Sequence, residues 1–224
     1  MVRPADDTTL TDRVAIVTGG SRGLGREVTR ALAGRGYAVV VHYAGNQRAA
    51  DATVEEVLTA NGAALTVRAD VADELDVARL FAETIEAFGG VDVVVHAVGR
   101  IVLGPGADLD TFDALLPTSA RGIFVVNRHA ARELRDGGAI VHVFGSVVGL
   151  ALPSRVADTA SERAIEAITR VLSRELRGRD ITLNAVALDC PGIAADIVNV
   201  VAFLVSRAGH GVNGQVIRFN GGLP

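Results

Sequence analysis

The sequence contains no lysine: all 22 of its basic residues are arginines. Schiff-base catalysis, a phosphate-binding loop lysine and any proton transfer by an amine are thereby excluded, because arginine keeps its proton up to a pKa above about 12. Tryptophan is absent and only two tyrosines are present, Tyr37 and Tyr43, which flank one apolar run. Phenol chemistry is confined to that place. The single cysteine, Cys190, excludes an intrachain disulfide and a multi-cysteine metal site and fits a reducing compartment, so a cytoplasmic protein is expected. Long hydrophobic runs are missing too. The polar start has no signal-peptide core and the apolar stretches have strand length, so no membrane span is expected. A net charge of -4 argues against a nucleic-acid groove or a polybasic membrane patch.

What is present is a folded globular composition, 49% hydrophobic and 21% charged over 224 residues. One domain spanning 1–224, with a polar leader over 1–11, is expected. "RVAIVTG", "GYAVVVHY", "AALTVRAD", "VDVVVHAVG", "AIVHVFGS", "DITLNAVAL" and "GQVIRF" read as strands. Helical patterns stand between them, among them Glu74 to Phe88, a helix kinked near Pro117, and 156–178. Near-continuous Val/Ile runs alternating with helices indicate a parallel α/β sheet of seven strands, doubly wound and covered on both faces. Ligands of such a sheet sit beyond the carboxyl ends of its strands, where the order reverses.

Between the first strand and first helix stands Thr18-Gly19-Gly20-Ser21-Arg22-Gly23-Leu24-Gly25. Gly19, Gly23 and Gly25 allow a tight turn that brings backbone N–H groups, from Ser21 to Leu24, against a pyrophosphate; a tight turn with no ligand is the plainer alternative. The end of the second strand, His42 to Arg48, offers no carboxylate for a ribose 2′-hydroxyl. Arg22 and Arg48 can instead hold a 2′-phosphate, which favours NADP(H); Arg48 as an ordinary solvated helix-start residue is the alternative. Asp70, followed by Val71, closes the third strand, where it can meet an adenine amino group or cap the next helix.

These residues resemble the short-chain dehydrogenase/reductase family, particularly its 3-oxoacyl-carrier-protein reductase-like members. The resemblance runs from "VAIVTGGSRGLGREVTRALA" through "GGVDVVVHAVG", "GAIVHVFGSVVG" and "ITLNAVA" to "NVVAFLVSRAGHGVNGQVIRFNGG". It implies a Rossmann-like three-layer αβα sandwich and reversible NAD(P)-dependent reduction of a carbonyl. The family's N-N-A-G appears as His96-Ala97-Val98-Gly99, and its helix-borne Asn as Ser119. Its catalytic serine matches Ser146. Its tyrosine, thirteen residues on, falls at Thr159, and its lysine at Arg163. After "LNAVA" the Pro-Gly is displaced to Pro191-Gly192 and only Ile193, Ala194 and Ala195 precede "DIVNVVAFL", which implies a substrate lid shortened by some 20 to 30 residues.

A carbonyl that gains a hydride must gain a proton, and the family's tyrosine supplies it because a neighbouring ammonium lowers the phenol from about 10. Thr159 cannot ionise usefully; Arg163 can bond a nicotinamide ribose but exchanges no proton. Asp158 and Glu162 share a helix face at i,i+4 and are candidate substitutes, although the expected placement is towards solvent or in pairs with Arg155 and Arg163. His96 is a candidate proton carrier or simply a packed strand-end residue. The five scattered histidines show no metal-ligand spacing, and "FGSVVG" is not a hydrolase nucleophile turn. The reading is an atypical NADP(H)-binding oxidoreductase acting on a small carbonyl or acyl substrate without the usual tyrosine. The alternatives are a noncatalytic nucleotide-binding or assembly partner and a non-redox enzyme on the same scaffold. Apolar positions in 109–134 and 156–177 suggest a homodimer or homotetramer.

Overall fold

The computed structural model describes residues 13–97, 109–115, 117–145, 156–188 and 194–219. Seven strands form one all-parallel sheet: β1 (Val14–Thr18), β2 (Ala38–Tyr43), β3 (Ala64–Arg68), β4 (Val91–His96), β5 (Leu134–Gly145), β6 (Thr182–Leu188) and β7 (Val216–Phe219). Their order is β3-β2-β1-β4-β5-β6-β7. The order therefore reverses between β1 and β4, whose ends are paired at Thr18 and His96.

The β-branched runs become strands because both sheet faces are covered, and alternate residues supply two cores. On one face Ile16, Val40, Val94, Ile140 and Leu183 pack with helices α3 (Glu74–Phe88) and α5 (Gly122–Glu133), through Leu80, Phe81 and Val126. On the other, Ala15, Val17, Val39, Val93, Val95 and Val141 meet α1 (Gly23–Ala33) and α7 (Ala194–Leu204), through Val28, Leu32, Ile197 and Val201. Helix α2 (Gln47–Thr59) covers the β2–β3 edge. Helix α6 (Val156–Glu175) lies over β6, with Ile165 against Phe144, Ala185 and Ala187.

The kink expected near Pro117 is a π-helical turn, Pro117–Arg121, between the short helix α4 (Leu109–Leu115) and α5. β5 begins five residues earlier than the apolar run, at Leu134, where Arg135 reaches across to Asp92 and the pairing with β4 shifts register. Helix α3 is capped by Asp73, which accepts from the N–H groups of Leu75 and Asp76. Asp70 serves instead in the preceding turn, where it accepts from the Ala72 N–H at 2.9 Å. Among the described residues no helix is long and apolar enough to cross a membrane.

Candidate functional site

The glycine turn ends β1 at the sheet's switch point. A Cβ on Gly25 would stand 2.2 Å from the Gly19 carbonyl oxygen, so the helix start can approach the turn only as glycine. Gly23 lies at φ +55, and a Cβ there would meet nothing within 4 Å: the turn opens outward at this point. Helix α1 begins there with no side-chain cap and no acidic residue in its first turn. By contrast, α2 is capped by Asn46, and α3 has both Asp73 and an acidic first turn. An exposed, positively polarised helix start is left for an external anion.

His42, inside β2, fixes this turn from below. Its Nδ1 accepts from the Gly19 N–H at 3.1 Å, and its Nε2 donates to the Ala69 carbonyl at 3.0 Å. One side chain thus ties together the ends of β1, β2 and β3. Burial pushes its pKa down to about 4, so the ring is neutral and the accepting lone pair is available at ordinary pH. Arg22 and Arg48 are exposed on the rim of the turn, and among the described residues no ion pair engages either guanidinium. Ser21 is buried, its carbonyl accepting from the Thr53 hydroxyl of α2 at 3.3 Å. Val71 is a core residue against Gly122.

Beyond the ends of β4, β5 and β6 lies a cleft of about 190 Å³, lined by Leu24, Ala97, Ser119, Gly145, Leu188 and a strip of α6. Of the residues singled out from sequence, it brings together Leu24, Ser119, Asp158 and Glu162. Ser146 and Gly99 lie outside the described residues, Ser146 directly after Gly145. The strip of α6 consists of Asp158, Ser161, Glu162 and Ile165. Asp158 is 8% exposed and Glu162 5%. This corrects the solvent-facing placement expected for them: both carboxyl groups lie on the buried face that Ile165 anchors. Ser161 shares that face, and its Oγ is buried without a hydrogen-bond partner.

Thr159 and Arg163 do not line the cleft. Arg163 points outward with 55% of its side chain exposed and pairs with Glu166 at 2.7 Å, a carboxylate that also receives Arg218 at 2.9 Å. Arg163 is thus held away from the end of the sheet. His96 is packed: its Nδ1 stands 2.9 Å from the Thr18 hydroxyl, with His142 edge-on, and its buried Nε2 has no hydrogen-bond partner among the described residues. Burial and the neighbouring imidazoles hold His96 well below the usual histidine range, which removes it as a proton carrier at neutral pH. The Tyr37 hydroxyl donates to the Val205 carbonyl at 3.3 Å and accepts from Arg13, at the opposite end of the sheet. Among the described residues no group of histidine, cysteine and carboxylates is arranged for a metal ion.

A larger cavity of about 910 Å³ lies between α1, α2 and α7, lined in part by Arg30, Arg35, Glu55 and Glu56. Its lining comes from α1, α2, α7 and the turns that follow α1 and α2, on the side where β2 and β3 begin and not at their carboxyl ends. Switch-point geometry locates ligand chemistry in the smaller cleft.

Residues 13–201 match the short chain dehydrogenase family. A short-chain type dehydrogenase/reductase of Picea abies is 34% identical over 249 residues, covering 94% of this chain and 92% of that protein. The versicolorin reductase stcU of Emericella nidulans is 30% identical, covering 97% and 98%. Among solved structures, a Burkholderia cenocepacia short chain dehydrogenase in complex with NADP superposes with a TM-score of 0.88 at 31% identity, covering 95% of this chain and 98% of its own.

Proposed function

The chain belongs to the short-chain dehydrogenase family, and from that premise we propose that it is an NADP(H)-dependent oxidoreductase whose cleft works without a tyrosine–lysine pair. The observation that carries the cofactor reading is the glycine turn. Gly25 packs against Gly19 where no side chain fits, and an uncapped helix start faces outward at Gly23, with two unengaged guanidinium groups, Arg22 and Arg48, on its rim. Residues 21 to 24 would hold the pyrophosphate and the arginines the 2′-phosphate. No carboxylate stands at the end of β2 to prefer a 2′-hydroxyl. The relative solved with NADP supports the same choice. When bound, the dinucleotide supplies a hydride beside the cleft.

The chain's own residues then determine what accepts that hydride. Ser119 offers a hydroxyl to a polar substrate atom, and the family resemblance assigns the same role to Ser146, but an aliphatic hydroxyl is a poor proton source. With no lysine in the chain and both tyrosines elsewhere, ordinary ketone reduction is disfavoured. Only five residues, 189–193, separate β6 from α7 in the sequence, in keeping with the shortened substrate segment that the resemblance implies. The assembly is a symmetric homo-oligomer through α5 and α6, where Phe124 and Val171 are each more than half exposed beside an apolar groove.

Calorimetric titration with NADPH and NADH tests the cofactor reading. NADPH binds tighter, and Arg48→Ala removes roughly 1.5 to 3 kcal/mol of that advantage, the worth of a charge-assisted contact. Equal affinities for the two dinucleotides, unchanged by the substitution, would overturn it.

A further inference from the structure

Ser161 sits on the α6 strip of the cleft, 5% exposed, and its Oγ has no hydrogen-bond partner among the described residues. A buried hydroxyl on a helix ordinarily satisfies itself by donating to a carbonyl one turn back. On the same helix Thr169 donates to the Ile165 carbonyl at 2.8 Å and Ser173 to that of Arg170 at 3.1 Å, as Thr84 on α3 donates to Leu80 at 2.7 Å. Ser161 makes no such bond. Among the buried polar atoms left without a partner, its Oγ is the one whose residue lines the cleft. We propose that Ser161 is a substrate-binding hydroxyl, through which the cleft holds a small, uncharged, largely apolar molecule by its single oxygen acceptor. The proposal rests on the NADP(H) reading and names the substrate class and a specificity-determining residue for the same site.

The walls set the class. Leu24, Val143, Phe144, Ile165 and Leu188 line the same cleft, so most of a ligand's contact there is apolar. At about 190 Å³ the cleft is smaller than the roughly 300 to 1,000 Å³ typical of pockets for drug-sized ligands, so the molecule it takes is small. Asp158 and Glu162, on the same strip, each have an interaction partner already. A charged ligand would have to displace one of those contacts or lose its hydration unpaired. Ser161 is the polar group of the strip without a partner, and the partner must come from the cleft. An oxygen acceptor supplies it. A molecule of the same shape with no acceptor would shut the hydroxyl away from water unpaired, which costs free energy.

Cyclopentanone and methylenecyclopentane have nearly the same shape and differ in the acceptor. Their affinities are compared by ligand-observed NMR titration of the whole chain, alone and with NADP⁺ added. Cyclopentanone should bind about three- to tenfold tighter, the scale of one neutral hydrogen bond. Ser161→Ala should erase that preference from both sides, weakening the ketone and admitting the hydrocarbon more readily. A hydroxyl with a structural role alone would leave the preference in place. Stability gives an independent reading. Ser161→Ala should not lower the thermal midpoint, because no bond is lost, whereas Thr169→Val, which gives up the bonds to Ile165 and His142, should lower it. Equal affinities of the unsubstituted chain for the two probes, a preference that survives Ser161→Ala, no binding of either probe, or a lowered midpoint for Ser161→Ala would each overturn the proposal. A chain that keeps the Ser161-dependent preference but binds no NADPH in calorimetry would overturn the cofactor reading alone; because the probe titration needs no cofactor, the two failures are distinguishable.

Discussion

His42 shows how one side chain converts burial into site geometry. It occupies a strand position that a valine could fill, yet its two ring nitrogens close the Gly19 and Ala69 backbone bonds that align three strand ends. Because burial lowers its pKa to about 4, the unfolded chain binds more protons than the native one between that value and the ordinary 6.5. The stability it contributes is therefore fully present above about pH 6.5 and is lost as pH falls towards 4. His142 behaves alike, depressed to about 3 and held between Thr169 and Asn127. Urea denaturation from pH 4.5 to 7.5 should show stability rising with pH, and His42→Gln should flatten that rise by about 1.4 kcal/mol per pH unit between roughly 4.5 and 6. An unchanged slope would mean that His42 titrates normally. Gly25→Ala tests the turn itself. With a Cβ directed at the Gly19 carbonyl, the turn must open, and NADPH affinity should fall by more than tenfold while the far-ultraviolet spectrum keeps its α/β character.

At the scale of elements, the strands were legible because parallel strands covered on both faces read as unbroken Val/Ile runs, and all seven contain those runs, β5 extending five residues ahead of its own. The rotation of α6 was harder to read. Asp158/Glu162 and Thr159/Arg163 have the same i,i+4 spacing, so counting thirteen residues from Ser146 does not distinguish which pair turns inward. A signal was available in Ile165, the buried apolar anchor of the helix: positions seven, four and three before it, Asp158, Ser161 and Glu162, share its face, while Thr159 and Arg163 do not. The role of His42 had no such signal, since its partners are backbone groups 23 and 27 residues away in sequence. The outer faces of α5 and α6 are also explicit in their residues. Phe124 at 58% exposure and Val171 at 59% flank a groove of about 500 Å³ with Ile168 and Leu172. Light scattering at micromolar concentration should give a multiple of 23.2 kDa, and Phe124→Asp with Val171→Asp should return the mass to a single chain. A wild-type mass of 23.2 kDa across the concentration range would remove the interface.

Across the whole molecule, two places meet at the β1–β4 switch point: the β1–α1 turn with its uncapped helix start, and the cleft at the ends of β4 to β6 that α6 lines. If those parts are separable, chemistry should follow the α6 strip while cofactor binding stays put. Asp158→Tyr with Glu162→Lys places a phenol and an ammonium on the face that lines the cleft. The ammonium lowers the phenol pKa, so the pair can deliver the proton that a reduced carbonyl requires. Ketone turnover under saturating NADPH should then rise, within the 10² to 10⁴ typically contributed by general acid catalysis. The control is Thr159→Tyr with Arg163→Lys, which has the same composition and spacing but points away, and which releases Glu166 from one of its arginines. It should gain nothing. Stopped-flow absorbance of NADPH with cyclopentanone reads both variants, and thermal midpoints confirm that each is folded. A gain confined to positions 159 and 163 would reverse the assigned rotation of α6.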